Sequence, residues 1–147
     1  MEIKQIDTAG INFLITEEGI VLQPYADSVG IATIGVGCTY YEDGKRVTLK
    51  DPAITHQRAV ELFKHVLDSY EKTVWSVTRD DINQNQFNAL TSICYNIGTS
   101  GFKKSTLLRR VNADLTDQSG ITYAFKMWSK QPELLGRRTR EAALFFS

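Results

Sequence analysis

The chain has 147 residues, weighs 16.6 kDa and carries 17 basic and 17 acidic side chains. This length is typical of one domain, and a 42% hydrophobic fraction with few Pro and Gly excludes a disordered or collagen-like chain. No apolar run reaches the roughly 18 residues of a transmembrane helix, so we expect no stable membrane insertion. The first residues lack a basic start followed by an apolar stretch, so the sequence predicts no secretory signal.

The zero net charge hides an uneven distribution. Residues 1–100 carry 8 basic and 13 acidic side chains, whereas residues 101–147 carry 9 basic and 4 acidic ones. A basic C-terminal third is able to bind a polyanion, namely a nucleic acid, a membrane surface or an acidic cell-wall polymer. Composition by itself favours the alternative, an ordinary solvated surface. Because no nucleic-acid-binding motif accompanies the basic residues, we expect no nucleic acid as a partner.

The N-terminal part predicts one short helix followed by short strands. The apolar residues in 11–15 predict the helix, with Thr8 as its N-cap and Gly19 as its end. The stretch 21–36 combines several glycines with β-branched residues, which is typical of short twisted strands joined by turns. An Asp-Gly pair within 40–47 predicts a further hairpin.

The pattern becomes helical after Pro52. Thr55 is a suitable N-cap, and apolar residues at helical spacing predict a helix of about 22 residues behind it. Trp75, Met127 and Trp128 also fall at helical spacing and are expected in the core. Four further helices are predicted: from about Asn83 to Ile97 with an end at Gly98, from Ser105 onward, over 123–128, and after Gly136.

These elements predict an α+β fold that is mainly α. Residues 1–54 would form a small β-containing N-terminal lobe, residues 55–78 a long connecting helix, and residues 79–147 a helical C-terminal lobe. Together they would make a single domain. A cleft between two lobes is the usual place for a ligand.

Two carboxylic acids lie at the change from helix to strand. Glu18 ends the first predicted helix, Asp27 follows nine residues later in a turn, and Thr33 lies six residues beyond on a strand. A helix followed by a hairpin is able to bring Glu18 and Asp27 face to face across a gap. Glycoside hydrolysis needs such a pair, with one carboxyl protonated and the other ionised, and the Thr33 hydroxyl is able to hold a water. Spacing alone favours the alternative, a helix-end carboxylate and an ordinary turn residue.

The residues around this pair resemble the signature of the phage-type lysozymes, glycoside hydrolase family 24. That signature reads Glu-Gly, Tyr-x-Asp, Gly and Thr-Ile-Gly-x-Gly, and its elements stand here at 18–19, 25–27, Gly30 and 33–37. The rest of the chain is similar to the family in the same order, at 83–90, 95–98, 102–107, Trp128 and 136–141.

The resemblance implies a lysozyme-like two-lobed fold. It also implies an inverting hydrolase of the β-1,4 bond between N-acetylmuramic acid and N-acetylglucosamine. Glu18 would be the general acid, Asp27 the partner carboxylate and Thr33 the residue that places the attacking water. The carboxyl groups of inverting enzymes stand about 6.5–9.5 Å apart. Arg137 would support Glu18, and the alternative for Arg137 and Arg138 is surface charge. No metal or cofactor is implied.

Three further residues are candidates for substrate binding: Tyr95, Ser105 and Thr39. An aromatic face suits a pyranose ring, so Tyr95 would line the cleft, although a core aromatic is an equal alternative. Ser105 would bind an N-acetyl sugar, but its position favours an N-cap for the third of the later helices.

One position departs from the family. Members commonly carry His directly after Gly-x-Gly, where it forms a charge pair with an acidic residue of the long helix, whereas Cys38 stands here. A thiol cannot carry the positive end of such a pair. Cys38 and Cys94 belong to no CxxC pair or His/Cys cluster, so no zinc site is expected and both thiols should be reduced and structural.

The resemblance implies an endolysin, a monomeric muramidase whose partner is peptidoglycan. It would stay in the host cytoplasm until a holin lets it reach the periplasm. Two alternatives stay open: a bacterial or prophage enzyme with the same chemistry, and a catalytically inactive wall-binding module. The intact set of Glu18, Asp27 and Thr33 argues against the second alternative.

Overall fold

The computed structural model describes residues 2–147. Its elements follow in chain order: α1 (Thr8–Glu18), β1 (Val21–Ala26), β2 (Ala32–Gly35), α2 (His56–Val77), α3 (Gln84–Ile97), α4 (Thr99–Lys103), α5 (Thr106–Ala113), α6 (Gln118–Lys126) and α7 (Glu133–Phe145). The predicted mainly helical α+β fold is confirmed. None of the helices in this part of the chain has the length and hydropathy needed to cross a bilayer.

The chain divides into two compact units. The first, which we call the sheet unit, contains residues 11–68. The second, the helical unit, contains residues 2–10 together with residues 69–147. The division falls inside α2, between Asp68 and Ser69.

The helical unit has one apolar core, to which every helix from α2 to α7 contributes. Its buried side chains include Val74, Phe87, Leu90, Ile93, Phe102, Leu107, Val111, Ile121, Phe125 and Phe145. Helix α3 is central, because its residues 87–94 are all buried. Asn83 stands at the predicted start of α3 and caps it, since its side chain accepts from the Gln86 N–H and the Gln86 side chain accepts from the Asn83 N–H.

Helix α3 also holds both ends of the described chain. The Gln84 amide donates to the Gln5 carbonyl at 2.9 Å, and the Asn85 amide donates to Ser147 Oγ, also at 2.9 Å. One turn further along, the Asn88 amide donates to Asp7 Oδ1 at 2.8 Å. The first residues therefore belong physically to the helical unit, although they lie far from it in the sequence.

The sheet unit contains one antiparallel pair of strands, as the sequence predicts for 21–36. Val21 lies opposite Gly35 and Tyr25 lies opposite Thr33. Between these two pairs, β1 therefore contains two more residues than β2, which makes a bulge. Pro24 lies in this bulge. Because proline has no backbone N–H, it is tolerated here, where the regular hydrogen bonds between the strands are interrupted. The unit's core joins the loop after β2 to α2 through the buried residues Ile34, Cys38, Val47 and Leu62.

Several predicted boundaries are confirmed by local hydrogen bonds. Gly19 ends α1 with φ of 82° and donates its N–H to the Ile15 carbonyl. Thr55 Oγ1 accepts from the Arg58 N–H at 3.0 Å and starts the 22-residue α2.

Other helix boundaries predicted from the sequence are wrong. Thr8 lies inside α1, and the cap is Asp7, whose Oδ1 accepts from the Gly10 N–H at 3.0 Å. Helix α7 begins at Glu133, before Gly136, because the preceding Pro132 already has a helical φ of −55°. Helix α6 ends at Lys126, which leaves Met127 outside it and 53% exposed instead of in the core.

The short helix α4 was not predicted, since the two glycines near it hide the pattern. The hairpin expected over 40–47 is present only as a tight loop. A single bridge joins Tyr40 and Arg46, and Gly44 takes a φ of 86° in the turn. No regular strand forms there.

Candidate active site

Glu18 is the last residue of α1 and is exposed to solvent. The left-handed backbone of Gly19 ends the helix, and β1 begins only two residues later at Val21. Glycine adopts this conformation at little cost, so the chain is able to reverse within a very short connection. Glu18 therefore lies at the junction between α1 and β1.

Asp27 directly follows β1 and closes the hairpin turn. Its backbone N–H donates to the Ile31 carbonyl at 2.9 Å, and its side-chain Oδ1 accepts from the N–H groups of Val29 at 2.9 Å and Ile31 at 2.8 Å. Gly30 supplies the positive φ of 86° that the turn requires. Among residues 2–147, no group hydrogen-bonds the other oxygen, Oδ2. The turn thus fixes the carboxylate by one oxygen and leaves the second available to a ligand or water.

Thr33 lies on the same face of the hairpin as Asp27. Tyr25 is directly opposite Thr33, and side chains two apart along a strand share a face. Thr33 is only 3% exposed, and its hydroxyl donates to the Ile31 carbonyl at 2.9 Å. The hydroxyl can therefore interact with a water only by accepting a hydrogen bond.

The candidate substrate-binding residues have structural roles of their own. The Tyr95 ring packs edge-on against Tyr70, with ring centroids 5.1 Å apart. Ser105 Oγ accepts from the Leu108 N–H at 3.0 Å and donates to the Phe102 carbonyl at 2.7 Å, so Ser105 is the expected N-cap of α5. Thr39 is half-buried, and its carbonyl accepts from Val47 in the loop after β2. Sugar contacts by these three residues stay predictions.

Arg137 and Arg138 are not surface charges, which corrects that alternative, because they are only 6% and 0% exposed. Both guanidinium groups bind the fully buried carboxylate of Glu141. Arg137 Nε lies 3.2 Å from Oε2, which also accepts from Ser92 Oγ at 2.5 Å, and Arg138 Nη1 binds Oε1. Burial raises the pKa of Glu141, and the contacts with Arg138, Ser92 and Arg137 oppose this rise.

Sequence reasoning missed Glu141 and Ser92. The available signal was the spacing of Glu141 from the two arginines, three and four residues along a helix, which places their side chains side by side. Ser92 lies on α3, 49 residues away, and no local pattern indicates its partner.

Arg138 also lines a pocket of about 520 Å³ within the helical unit. Its Nε donates to the Trp128 carbonyl at 2.9 Å, and its Nη2 donates to Asn96 Oδ1. Polar, charged and apolar side chains line this pocket: Asn96, Ile97, Met127, Trp128, Lys130, Gln131, Leu134 and Arg138.

Cys38 is buried in the apolar cluster of the sheet unit, and burial raises the pKa of its thiol. Its Sγ lies 3.6 Å from the Val36 carbonyl. A charge pair between this loop and α2 does exist four residues later, where Glu42 binds Arg58. Here the acid lies on the loop and the base on the helix, the reverse of the pair that the resemblance implies for a histidine at position 38.

The chain is similar to known proteins in both sequence and fold. The phage lysozyme family model matches residues 16–142. The endolysin of Salmonella phage P22 is 44% identical over 97% of this chain and 99% of its own. A crystal structure of a P22 lysozyme mutant, 43% identical, covers 97% of this chain and 99% of its own, with a TM-score of 0.87. The endolysin from Escherichia coli O157:H7 phage FAHEc1 is 30% identical, with a TM-score of 0.89 over 97% of this chain and 94% of its own. The chain belongs to the phage lysozyme family.

Proposed function

We propose that this chain, a phage lysozyme that hydrolyses peptidoglycan in host lysis, cleaves the β-1,4 bond between N-acetylmuramic acid and N-acetylglucosamine with inversion. Glu18 is the general acid, Asp27 the general base and Thr33 the residue that places the water. Arg137 supports Glu18. Family membership supports the reaction class, and the hairpin geometry supports the division of roles.

The observation that carries the proposal is the asymmetric bonding of the Asp27 carboxylate. Two backbone N–H groups hold Oδ1, so the side chain cannot rotate away, while Oδ2 is left to accept a proton from water. Thr33, on the same face, offers an oxygen that accepts the water's second hydrogen. A water bound to both groups would be oriented for attack on a sugar carbon.

The reaction then proceeds in one displacement. Glu18 gives its proton to the glycosidic oxygen as that bond breaks, and Asp27 takes a proton from the water that attacks the opposite face of the sugar. The first product therefore has the α configuration. If Asp27 were a nucleophile instead, two displacements would return the β anomer, and the carboxyl groups would stand only about 5–5.5 Å apart.

Proton NMR of the first product tests these roles. We expect the α anomer first, and we expect Glu18→Gln to lose several orders of magnitude in rate with an unchanged circular dichroism spectrum. Glu61→Gln, a neutralised exposed acid on α2, is the matched control and should retain full activity. An initial β anomer would refute Asp27 as the base, and a Glu18→Gln variant within tenfold of the parent would remove Glu18 from the acid role.

Thr33→Glu gives an independent check. The new carboxylate would occupy the position of the water, so we expect inversion to stop and a glycosyl adduct to accumulate, detectable by mass spectrometry of the intact protein. Normal turnover with an α product in this variant would exclude Thr33 from placing the water.

We also propose that the protein is monomeric and reaches the periplasm through a holin. Expression without a holin should leave host cells intact until chloroform permeabilises the inner membrane. Rapid lysis without chloroform would contradict this route.

Binding to purified wall without release of reducing ends would instead favour an inactive wall-binding module.

A further inference from the structure

The hairpin of the sheet unit carries different side chains on its two faces. Ala32 and Ile34 share one face of β2 and pack in the apolar cluster of the sheet unit. Tyr25 and Thr33, which lie opposite each other, belong to the other face. When one face of an antiparallel sheet packs on a core, the other face usually carries polar side chains. The face with Tyr25 and Thr33 should therefore be polar.

Two exposed apolar side chains on this face contradict that expectation. Tyr25 is 36% exposed and Ile31 is 39% exposed. Ile31 lies opposite Asp27, because the Asp27 N–H donates to the Ile31 carbonyl and Asp27 Oδ1 accepts from the Ile31 N–H. This pair continues the register of Tyr25 with Thr33, so the four side chains share one face. We call Tyr25 and Ile31 the apolar patch.

The apolar patch borders the carboxylate of Asp27 on two sides. Tyr25 stands two residues before Asp27 in the chain, and Ile31 stands across the turn from it. Single apolar residues on a surface are normal, whereas adjacent ones often mark a binding site. Ligand sites usually combine apolar walls with a few precisely placed polar groups. Asp27, with Oδ1 held by the turn, is such a polar group between two apolar neighbours.

We propose that Tyr25 and Ile31 bind the sugar residue whose anomeric carbon the water attacks, by packing against its C–H groups. This inference rests on the proposed function, because that function places this sugar beside Asp27. A pyranose ring presents apolar C–H groups between its hydroxyls, and the flat apolar surface of an aromatic ring packs well against them. Bound substrate would cover the apolar patch and displace the water from it. Neither side chain exchanges a proton with the substrate.

The affinity for a peptide-free hexasaccharide of alternating N-acetylglucosamine and N-acetylmuramic acid tests the inference. Titration calorimetry in the Glu18→Gln background measures Kd without hydrolysis. We expect Tyr25→Thr and Ile31→Thr each to raise Kd about fivefold or more, because threonine suits a strand but offers less apolar surface. Tyr25→Phe and Ile31→Val keep the apolar surface and should stay within about twofold of the background. Leu49→Thr, at a 59% exposed apolar residue elsewhere in the sheet unit, is the control and should leave Kd unchanged.

Kinetics with Glu18 intact separate binding from positioning. The two threonine variants should raise KM by the same factor as Kd and keep kcat within about threefold of the parent, as expected for an interaction present before the transition state. A Kd within twofold of the background for both variants would overturn the inference. A lower kcat with an unchanged Kd would also overturn it, since the side chains would then only position Asp27.

Two outcomes need separate treatment. If Tyr25→Thr failed to fold, as judged by circular dichroism, Ile31→Thr would decide the inference alone. Hydrolysis of the hexasaccharide by Glu18→Gln during the titration would instead contradict the proposed role of Glu18. The KM values measured with Glu18 intact would then decide whether Tyr25 and Ile31 bind the sugar.

Discussion

Arg58 binds both carboxylate oxygens of Glu42, with N–O distances of 2.5 and 2.7 Å. The contact ties the loop after β2 to the first turn of α2. Hydrogen bonds from Arg58 lower the pKa of Glu42 from 4.5 to about 2. Bidentate geometry of this kind is the strongest that an Arg–carboxylate pair offers.

We expect Glu42→Gln to lower the free energy of unfolding at pH 7 by about 1 kcal/mol or less, because both partners are about one-third exposed and surface pairs are screened. The pKa of Glu42 is lower in the folded state, so the pair stabilises the fold above the unfolded pKa of about 4.5 and is lost as the pH falls through about 2. Urea unfolding at pH 7 and at pH 2.5 measures the difference between variant and parent. The difference should shrink at pH 2.5, and an equal difference at both values would contradict the ion pair as its cause. Asp68→Asn, on the exposed side of the same helix, is the control.

Asp27→Asn should separate catalysis from folding. The amide oxygen is able to accept the two backbone N–H groups that Oδ1 accepts now, so the hairpin should survive, while the base is lost. We expect a rate loss of several orders of magnitude with a melting temperature within a few degrees of the parent. Asp27→Cys should be milder if its thiolate replaces the carboxylate. A variant Asp27→Asn that retains a tenth of the activity would exclude general-base catalysis at this position.

The basic C-terminal third should act on wall attraction and not on bond cleavage. Its cations Lys103, Lys104 and Arg109 are exposed, whereas Arg137 and Arg138 are buried with Glu141 and contribute little to the surface field. Exposed charges are screened beyond about 8–10 Å at 0.1–0.15 M salt, so lysis of whole cells should fall as salt rises. Changing the three exposed cations to Glu should weaken lysis of cells more than cleavage of short neutral oligosaccharides.

The control for this experiment carries the same charge change elsewhere. Lys45, Lys50 and Lys64 are exposed in the sheet unit, and their change to Glu should impair lysis less. An equal loss from both triple variants would mean that net charge matters and its position does not. If the variant of Lys103, Lys104 and Arg109 lost as much activity on oligosaccharides as on cells, these cations would not act by attracting the protein to the cell wall.

Both thiols should react slowly in the native protein. Cys38 and Cys94 are buried, and burial raises the pKa of Cys94 to about 12, so the reactive thiolate is scarce at pH 8. Modification by a chromogenic disulfide should therefore follow unfolding. The single variants Cys38→Ala and Cys94→Ala would report separately on the helical and sheet units. Rapid labelling without denaturant would contradict the burial of the thiol concerned.

Local signals in the sequence predicted those parts of the fold that depend on neighbours in the chain. Thr55 and Ser105 are the caps that the sequence predicts, Asn83 stands at the predicted start of α3, and Gly19 ends α1 as expected. The cap at Asp7 was missed because Thr8, one residue later, is also a common capping residue type. Sequence alone does not decide between such adjacent candidates.

The parts that could not be predicted depend on distant contacts. Arg137 and Arg138 stand in a run of charges that normally marks a solvated surface. Their burial depends on partners that include residues distant in the sequence, Ser92 for Arg137 and Asn96 for Arg138. The carboxylates of the candidate site were found by the resemblance and not by spacing. What spacing could not indicate is that the turn would occupy only one oxygen of Asp27.

The attachment of both chain ends to neighbouring residues of α3 has a consequence for protein engineering. Gln84 holds Gln5 and Asn85 holds Ser147, so a short linker should join the ends without moving either. New ends could then be opened in the exposed turn around Gly44. In such a circular permutant the helical unit would become one continuous stretch of sequence and the sheet unit would become the interrupted one. The order in which the two units are completed during synthesis would thereby be reversed.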